Sequence, residues 1–467
     1  MCARFSSLKY PVAFVSTPTG KTSLTTRFSY ALPDIGGQLL FGWIMGYLPY
    51  FYTDVYGISA AAVAWIALIA RWVDALDAPI WGIIFDKTRS RFGKSRPWFL
   101  WLCGPFAIFG TLTFLTPDLG ATAKLFYAAI TYIIFNVIYT GINTPVTSIL
   151  SALTTDSKER VTLTTFRMFG SKLGVLIVNL TGIEFAVWLG GGDDRKGFLL
   201  AMPMFAVASI ILFLIAFRNL KETVAVETKP QPILGTFGAL RGNWPWVIIF
   251  ISSFLFWIGF ISRVSVAPHF FEYVLHRKDL IKLANSLDFA SLATAVLLPW
   301  FCRKASKGTV WALGLLGMTI GQLIVYLGVK NGLSVEIILT GWTIGFLASG
   351  VAMAMPFVVL SDSVDFGEWK TGIRAAGLLT AIGAAFCLKA GAGLGTALPM
   401  WILDAAGYVA KTEPTAAVVS AINAGIVWIP AACFGLAIVP VLFYGRFEKL
   451  EPQIRADLER RRAAQRT

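Results

Sequence analysis

Apolar runs recur along this chain at the length a lipid bilayer requires, and that recurrence limits the fold more than any other feature of the sequence. They lie near residues 28–52, 58–84, 97–116, 122–151, 163–190 and 197–217, and again near 245–275, 282–302, 308–329, 334–360, 373–403 and 416–444. Runs of this length read as membrane-crossing helices. The expectation is an all-α membrane protein with twelve transmembrane helices. Composition points the same way. Hydrophobic residues make up 56% of the 467 and charged residues 14%, against about 25% charged in a soluble domain. Mean hydropathy is +0.68.

The formal net charge of +14 raises the question of nucleic acid. The basic residues, however, fall mainly at 85–96, 155–162, 218–244, 303–307, 362–374 and after Gly445, between the apolar runs. An excess of Lys and Arg in alternate loops marks the cytoplasmic side of a membrane protein. Nucleic-acid binding is therefore not expected, and both termini are expected in the cytoplasm, at the cell (inner) membrane. Arg195-Lys196 and Arg277-Lys278 are exceptions on the other side. The longest polar interruption, Arg218 to Trp244, falls near the midpoint. It gives a leader at 1–27, a six-helix half at 28–217, a central loop at 218–244, a second six-helix half at 245–444 and a basic tail at 445–467. Two six-helix halves around a midplane site resemble the plan of the major facilitator transporters. An internal repeat is not visible beyond a faint echo of loop 85–97 in Arg303-Lys-Ala-Ser-Lys-Gly308. The tail, with Arg460-Arg-Arg among Glu451, Asp457 and Glu459, reads as a solvated helix near anionic lipid.

Within the second run, Arg71, Asp74 and Asp77 stand three residues apart and project from one helix face. Charge at membrane depth costs about 2.5–3.5 kcal/mol per group on insertion scales, so such groups face a bundle interior or an ion or substrate path. A short loop follows, with Asp86, Lys87, Arg89, Arg91, Lys94 and Arg96 before Pro97. An embedded acidic pair beside a basic loop points to a transporter. Elsewhere the reactive residues are scattered. Cys2, Cys103, Cys302, Cys387 and Cys433 have no paired spacing, and His269 and His276 form no metal-ligand set. No nucleophile, metal set or cofactor site of an enzyme is found. Residues 1–27 lack the apolar core of a secretory signal.

Three stretches carry a family resemblance. They are Tyr47-Leu-Pro-Tyr-Phe-Tyr-Thr-Asp-Val-Tyr-Gly57, then Arg71-x-x-Asp-Ala75 with Pro79, then Asp86-Lys-Thr-Arg-Ser-Arg-x-Gly-Lys-x-Arg-Pro97. Together they resemble the glycoside–pentoside–hexuronide:cation symporters, which include the melibiose and glucuronide permeases. Tyr139-Thr-x-x-Asn-Thr-Pro145 and Ser361-Asp-Ser-Val-Asp-Phe-Gly-Glu-Trp-Lys370 add to the match, which runs from about Phe28 to Phe447.

The resemblance places Asp74 at the family's leading cation-site aspartate. A second reading makes Asp74 a buried ion-pair partner of Arg71. The family's second aspartate stands directly before the proline, where this chain has Ala78. Asp77 is one position earlier and turned by about 100°. In the first helix Gly37 and Gln38 replace the lysine–aspartate pair of the melibiose pattern, and in the fourth Asn143 replaces its aspartate. Asn136, Tyr139, Asn143 and Thr147 share one face. Their amides and hydroxyls suit sugar hydroxyls, or alternatively hydrogen bonds between helices. Arg167 matches an arginine that contacts sugar in the family, Lys389 a basic residue facing the cavity, and Arg263 is a further candidate. Three cations with two acids of the pattern lost would suit an anionic sugar, unless Arg167 or Lys389 neutralises Asp74 or Asp288. Arg71 reads as a structural charge beside Asp74, and Asp86, Arg89, Arg91, Asp362, Asp365 and Glu368 read as gate or structural charges at the cytoplasmic ends.

The resulting expectation is a secondary transporter that imports a glycoside, pentoside or hexuronide with a cation, a proton in preference to sodium. Asp74 and Asp77 couple the cation, with Asp74 as the group that takes the proton and Asp77 the lesser; Gln38, Tyr139, Asn143, Thr147, Arg167, Arg263 and Lys389 bind the sugar. The chain is expected to act as a monomer, without a cofactor, in contact with sugar, cation and lipid. A sugar-binding sensor or an uncoupled facilitator is the alternative.

Overall fold

The computed structural model describes residues 22–88, 90–154, 156–222, 240–372, 379 and 381–464. Those residues are almost entirely helical, with no strand among them. The helices are α1 Leu24–Tyr50, α2 Ala60–Lys87, α3 Arg96–Thr113, α4 Ala121–Leu153, α5 Ser157–Gly190 and α6 Asp194–Asn219. After the central loop come α7 Trp244–Val274, α8 Leu280–Lys304, α9 Lys307–Lys330, α10 Val335–Thr371, α11 Ile382–Ala405 and α12 Ala416–Leu442. A tail helix, α13, spans Gly445–Ala464. The nine helices from α4 to α12 are long and apolar enough to cross a membrane. Of the other three, α2 interrupts its apolar surface with Arg71, Asp74 and Asp77. Several helices start where the sequence supplies a cap. Ser23, Ser59, Ser306 and Thr415 each accept the backbone N–H three residues on, which satisfies a donor that the first turn leaves open.

The pairing of helices reveals a repeat that the sequence conceals. In the first half α1 packs on α5 and α6, α3 on α4 and α6, α2 on α4, and α5 on α6. Adding six to each number gives the packing of the second half: α7 on α11 and α12, α9 on α10 and α12, α8 on α10, and α11 on α12. The halves meet along two seams, α2 against α11 and α5 against α8, and also where α1 meets α7. The same shift of six exchanges the two seams, so they are related by the repeat.

The halves are tied together at the end away from the basic loops. There Asp54, just past α1, accepts hydrogen bonds from Tyr408 at 2.8 Å and from Tyr273. His269 Nε2 lies 3.0 Å from Thr53 Oγ1, and Lys278 Nζ donates to Tyr50 Oη at 2.8 Å. At the basic-loop end, Arg27–Glu159, Arg96 to the Phe217 carbonyl and Lys307–Asp362 each join helices of one half.

Two expectations change. The segment 362–374 is not a loop from its start: α10 continues to Thr371, and Gly372 closes it with a φ of 74° that glycine adopts without strain. Asp362, Asp365 and Glu368 therefore stand on the last turns of a helix. Asp362 is held there by Lys307 Nζ at 2.7 Å and Tyr444 Oη at 2.6 Å. The tail helix is not solvated all round. Phe447, Ile454 and Leu458 are buried, and Trp369 Nε1 donates to Asp457 at 3.0 Å. Most of the leader and of the central loop, together with Arg89 and the side chain of Asp86, lie outside the described residues.

Candidate functional site

The charged centre is built on α2. Asp74 is 4% exposed and takes three kinds of donor. Arg71 Nη1 lies 3.4 Å from Oδ2, one turn back on the same helix. Thr140 Oγ1 of α4 donates to Oδ1 at 2.7 Å. Lys389 Nζ of α11 donates to Oδ1 at 2.9 Å and also to the Asp74 carbonyl, so the bridge crosses the seam between the halves. Arg71 Nη1 also donates to Asn136 of α4 at 3.4 Å, and its guanidinium lies over the Phe41 ring. The buried Asp74 carboxylate is thus bonded to a buried arginine and to a lysine that is 19% exposed, and the second cation is offset by the neighbouring Asp77.

Asp77 is treated differently. It is 6% exposed, yet among the described residues neither oxygen accepts a hydrogen bond. Its nearest cation is Lys389 Nζ at 3.8 Å. One turn of α2 therefore presents two carboxylates to one lysine, the first fully bonded and the second not.

A second polar centre lies between α1, α4 and α5. Arg167 Nε donates to Asp34 Oδ2 at 2.8 Å and Nη1 to Thr147 Oγ1 at 3.2 Å. Gln38 Nε2 donates to Ser171 Oγ at 3.2 Å. Tyr139 stacks on Phe41, their ring centres 4.2 Å apart. Asn143 is half-buried on the same face of α4. The α4 stripe thus runs from the charged centre, through Asn136, to the second centre at Thr147. Aromatic faces beside paired donors and acceptors are the surface a sugar ring requires, since its CH face is apolar and its hydroxyls both give and take hydrogen bonds.

These geometries have relatives among known proteins. The family model described as "MFS/sugar transport protein" matches residues 29–445. The chain belongs to that family. As a member of it, the protein is a multi-pass membrane transporter rather than an enzyme, and the symporter resemblance seen in the sequence holds. It is 41% identical over 441 residues to the isoprimeverose transporter of Lactiplantibacillus pentosus, covering 94% of this chain and 91% of the relative. It is 27% identical to the glucuronide carrier protein homolog of Escherichia coli (strain K12), covering 95% and 97%. In fold it matches the crystal structure of a D-xylose-proton symporter, with a TM-score of 0.63 and 18% identity over 90% of this chain and 97% of that one.

Of the residues singled out in the sequence, Arg71, Asp74, Asp77 and Lys389 come together in one centre, and Gln38, Tyr139, Asn143, Thr147 and Arg167 line the other. Arg263 joins neither. It is fully buried inside the second half, over the Trp342 and Phe346 rings at 4.2 Å each, with Nη2 donating to the Trp342 carbonyl at 3.0 Å. Arg91 stacks over Phe92 in its loop, 4.7 Å away. Three residues passed over in the sequence have clear places. Asp34 neutralises Arg167, Thr140 holds Asp74, and Lys172 of α5 pairs with Asp288 of α8 at 2.7 Å. The signal for Asp34 and Lys172 was present: each is a charge inside an apolar run. Once they are counted, the surplus of cavity cations that suggested an anionic sugar disappears, because Arg167, Lys172 and Lys389 each face a carboxylate.

Proposed function

We propose that this protein imports a neutral glycoside together with a proton, by rocking its two halves around the site between them. The observation that carries the reading is the pair of carboxylates on α2 that share Lys389 across a seam. Asp74 is committed to Arg71, Thr140 and Lys389, and a proton placed there would break bonds to two cations. Asp77 accepts no hydrogen bond among the described residues, so a proton placed there breaks only the 3.8 Å contact with Lys389. We therefore assign proton carriage to Asp77 and the charge that holds Lys389 to Asp74. Sodium prefers several oxygen ligands, and the lysine beside this pair opposes a second cation.

The sugar lies at Arg167, Asp34, Gln38, Asn143 and Thr147, against Tyr139. Neutral cargo follows from the pairing of each cavity cation with an acid, and the isoprimeverose transporter at 41% identity supports a glycoside. Loss of the proton frees Asp77 to compete for Lys389, which links the state of the cation site to the seam the halves turn about. Coupling of this kind has to be reciprocal: sugar and proton each raise the other's affinity. The basic loops face the cytoplasm of the inner membrane, and the ties at Asp54 close the outer side. A single chain supplies every group, so the monomer suffices.

Counterflow in proteoliposomes tests the transport reading. Glycoside inside should drive labelled glycoside in, without added sodium. Thermal stabilisation by sugar with no exchange would make the protein a sensor. A cysteine placed at position 92 should be labelled only from the cytoplasmic face; labelling of intact cells there would invert the orientation.

A further inference from the structure

Two lysines occupy matching places in the two halves. Phe169-Gly-Ser-Lys172-Leu-Gly174 of α5 and Phe386-Cys-Leu-Lys389-Ala-Gly391 of α11 share Phe-x-x-Lys-x-Gly. The glycines confirm the register through their packing. A Cβ on Gly174 would come within 2.7 Å of Gln38 Cβ on α1, and one on Gly391 within 2.7 Å of Trp257 Cβ on α7. Since α1 and α7 are exchanged by the repeat, Lys172 and Lys389 are equivalent positions. Their partners are equivalent too: Arg71-x-x-Asp74 on α2 corresponds to Asn285-x-x-Asp288 on α8. Each lysine bridges its seam, Lys172 Nζ to Asp288 Oδ2 at 2.7 Å and Lys389 Nζ to Asp74 Oδ1 at 2.9 Å.

The two bridges differ in what else they hold. Asp74 has Arg71 and Thr140 on it, whereas Asp288 Oδ1 is buried and has no hydrogen-bond donor among the described residues. Three residues back, the Asn285 side-chain amide N is likewise unpartnered among the described residues, while the Asn285 backbone carbonyl accepts from Asn179 Nδ2 at 3.0 Å. A buried acceptor left open costs stability unless something completes it. The pair is joined to the second polar centre along α5. Lys172 follows directly on Ser171, which Gln38 holds, and is five residues, about 7.5 Å along the helix, beyond Arg167. Both side chains keep some exposure, 20% for Lys172 and 15% for Asp288. Charges partly exposed at membrane depth face a polar cavity and not lipid.

Resting on the transport reading above, we propose that Lys172 and Asp288 form a second sugar subsite, which takes the second ring of a two-ring glycoside while Arg167 and Asp34 hold the first. A ring hydroxyl donates to the open Asp288 Oδ1, and another accepts one of the two Lys172 N–H groups that Asp288 does not use. The α5–α8 seam thereby selects cargo length, while its counterpart, α2–α11, carries the charge of the coupling ion.

The test compares isoprimeverose, a two-ring glycoside, with xylose in counterflow by the full-length protein in proteoliposomes. The wild type should prefer isoprimeverose by at least about tenfold, and Asp288→Asn and Lys172→Gln should each weaken isoprimeverose about tenfold and xylose much less. Because a lone charge could disturb the fold, the double variant Lys172→Gln, Asp288→Asn removes both. The subsite requires that the double variant still lack the preference. Recovery of the preference in the double variant, equal loss for both sugars, or an unchanged preference in the single variants would reduce the bridge to a structural tie and overturn the proposal. A wild type that exchanges neither sugar would instead remove the transport reading itself.

Discussion

The two seams between the halves are built to one plan and filled differently. Along α2–α11 a lysine meets an acid that also holds an arginine and a threonine, with a second acid one turn away. Along α5–α8 the equivalent lysine meets one acid with an open oxygen and an asparagine in the place of Arg71. The first seam is dense with charge and balanced, two cations to two carboxylates. The second is a single pair with spare hydrogen-bonding capacity. A repeat fixes where polar groups can stand. The residues placed there decide whether a position suits an ion, which needs a carboxylate that can gain and lose charge, or a hydroxyl, which needs open donors and acceptors.

The largest difference between the seams is expected at Asp74. Asp74→Asn leaves the buried Arg71 without its carboxylate and Lys389 with only Asp77 at 3.8 Å, and loss of one partner from a buried pair costs about 3–5 kcal/mol. Asp288→Asn strands one lysine, about as exposed as Lys389, and no buried arginine, and should cost clearly less. Thermal unfolding of the purified variants in detergent measures both; equal losses would mean that the seams do not differ in the way described. A smaller effect is expected at Thr140, which has no counterpart on Asp288 among the described residues. Thr140→Val removes a hydrogen bond to a charged acceptor, about 1.5–3 kcal/mol, and should lower both stability and the rate of pH-driven uptake. A wild-type melting temperature in that variant would remove Thr140 from the centre.

The smallest effect lies within one half. Glu159, outside the apolar stretch of α5, is held below the usual carboxylate range by hydrogen bonds from Arg27 and Thr22. A carboxylate lowered in the fold contributes stability above its unfolded value and loses it as pH falls. Arg27→Ala should therefore destabilise less than Thr140→Val at neutral pH, and the gap from wild type should close below about pH 4.3. A gap independent of pH would mean that packing, and not the ion pair, is what Arg27 supplies.

Much of this was legible in the sequence. Helix number came from the spacing of apolar runs, and Asp74, Asp77, Asn143, Thr147, Arg167 and Lys389 came from polar groups inside them. Partnership was not legible. That Lys389 reaches Asp74, and Arg167 reaches Asp34, depends on helices far apart in the chain. Asp34 lies one turn before Gln38 on the same face of α1, but nothing in the spacing shows that Arg167 of α5 meets it. The repeat was hidden because only a few positions carry it, such as Phe169, Lys172 and Gly174, and they are recognisable once the packing of α5 on α1 and of α11 on α7 is known. The end of α10 is hidden from hydropathy because Asp362, Asp365 and Glu368 read as a loop, whereas Asp362 is held on the helix by Lys307 and Tyr444.

In this mechanism Asp77 carries the proton that drives glycoside uptake. That role is tested most directly by loading proteoliposomes of the wild type and of Asp77→Asn with an alkaline interior and following isoprimeverose accumulation at fixed voltage. Wild type should accumulate sugar against its gradient with an acid exterior, equally with and without sodium. Asp77→Asn should exchange sugar in counterflow but accumulate none. Accumulation that persists in Asp77→Asn, or that in the wild type requires sodium and ignores the pH gradient, would contradict the account.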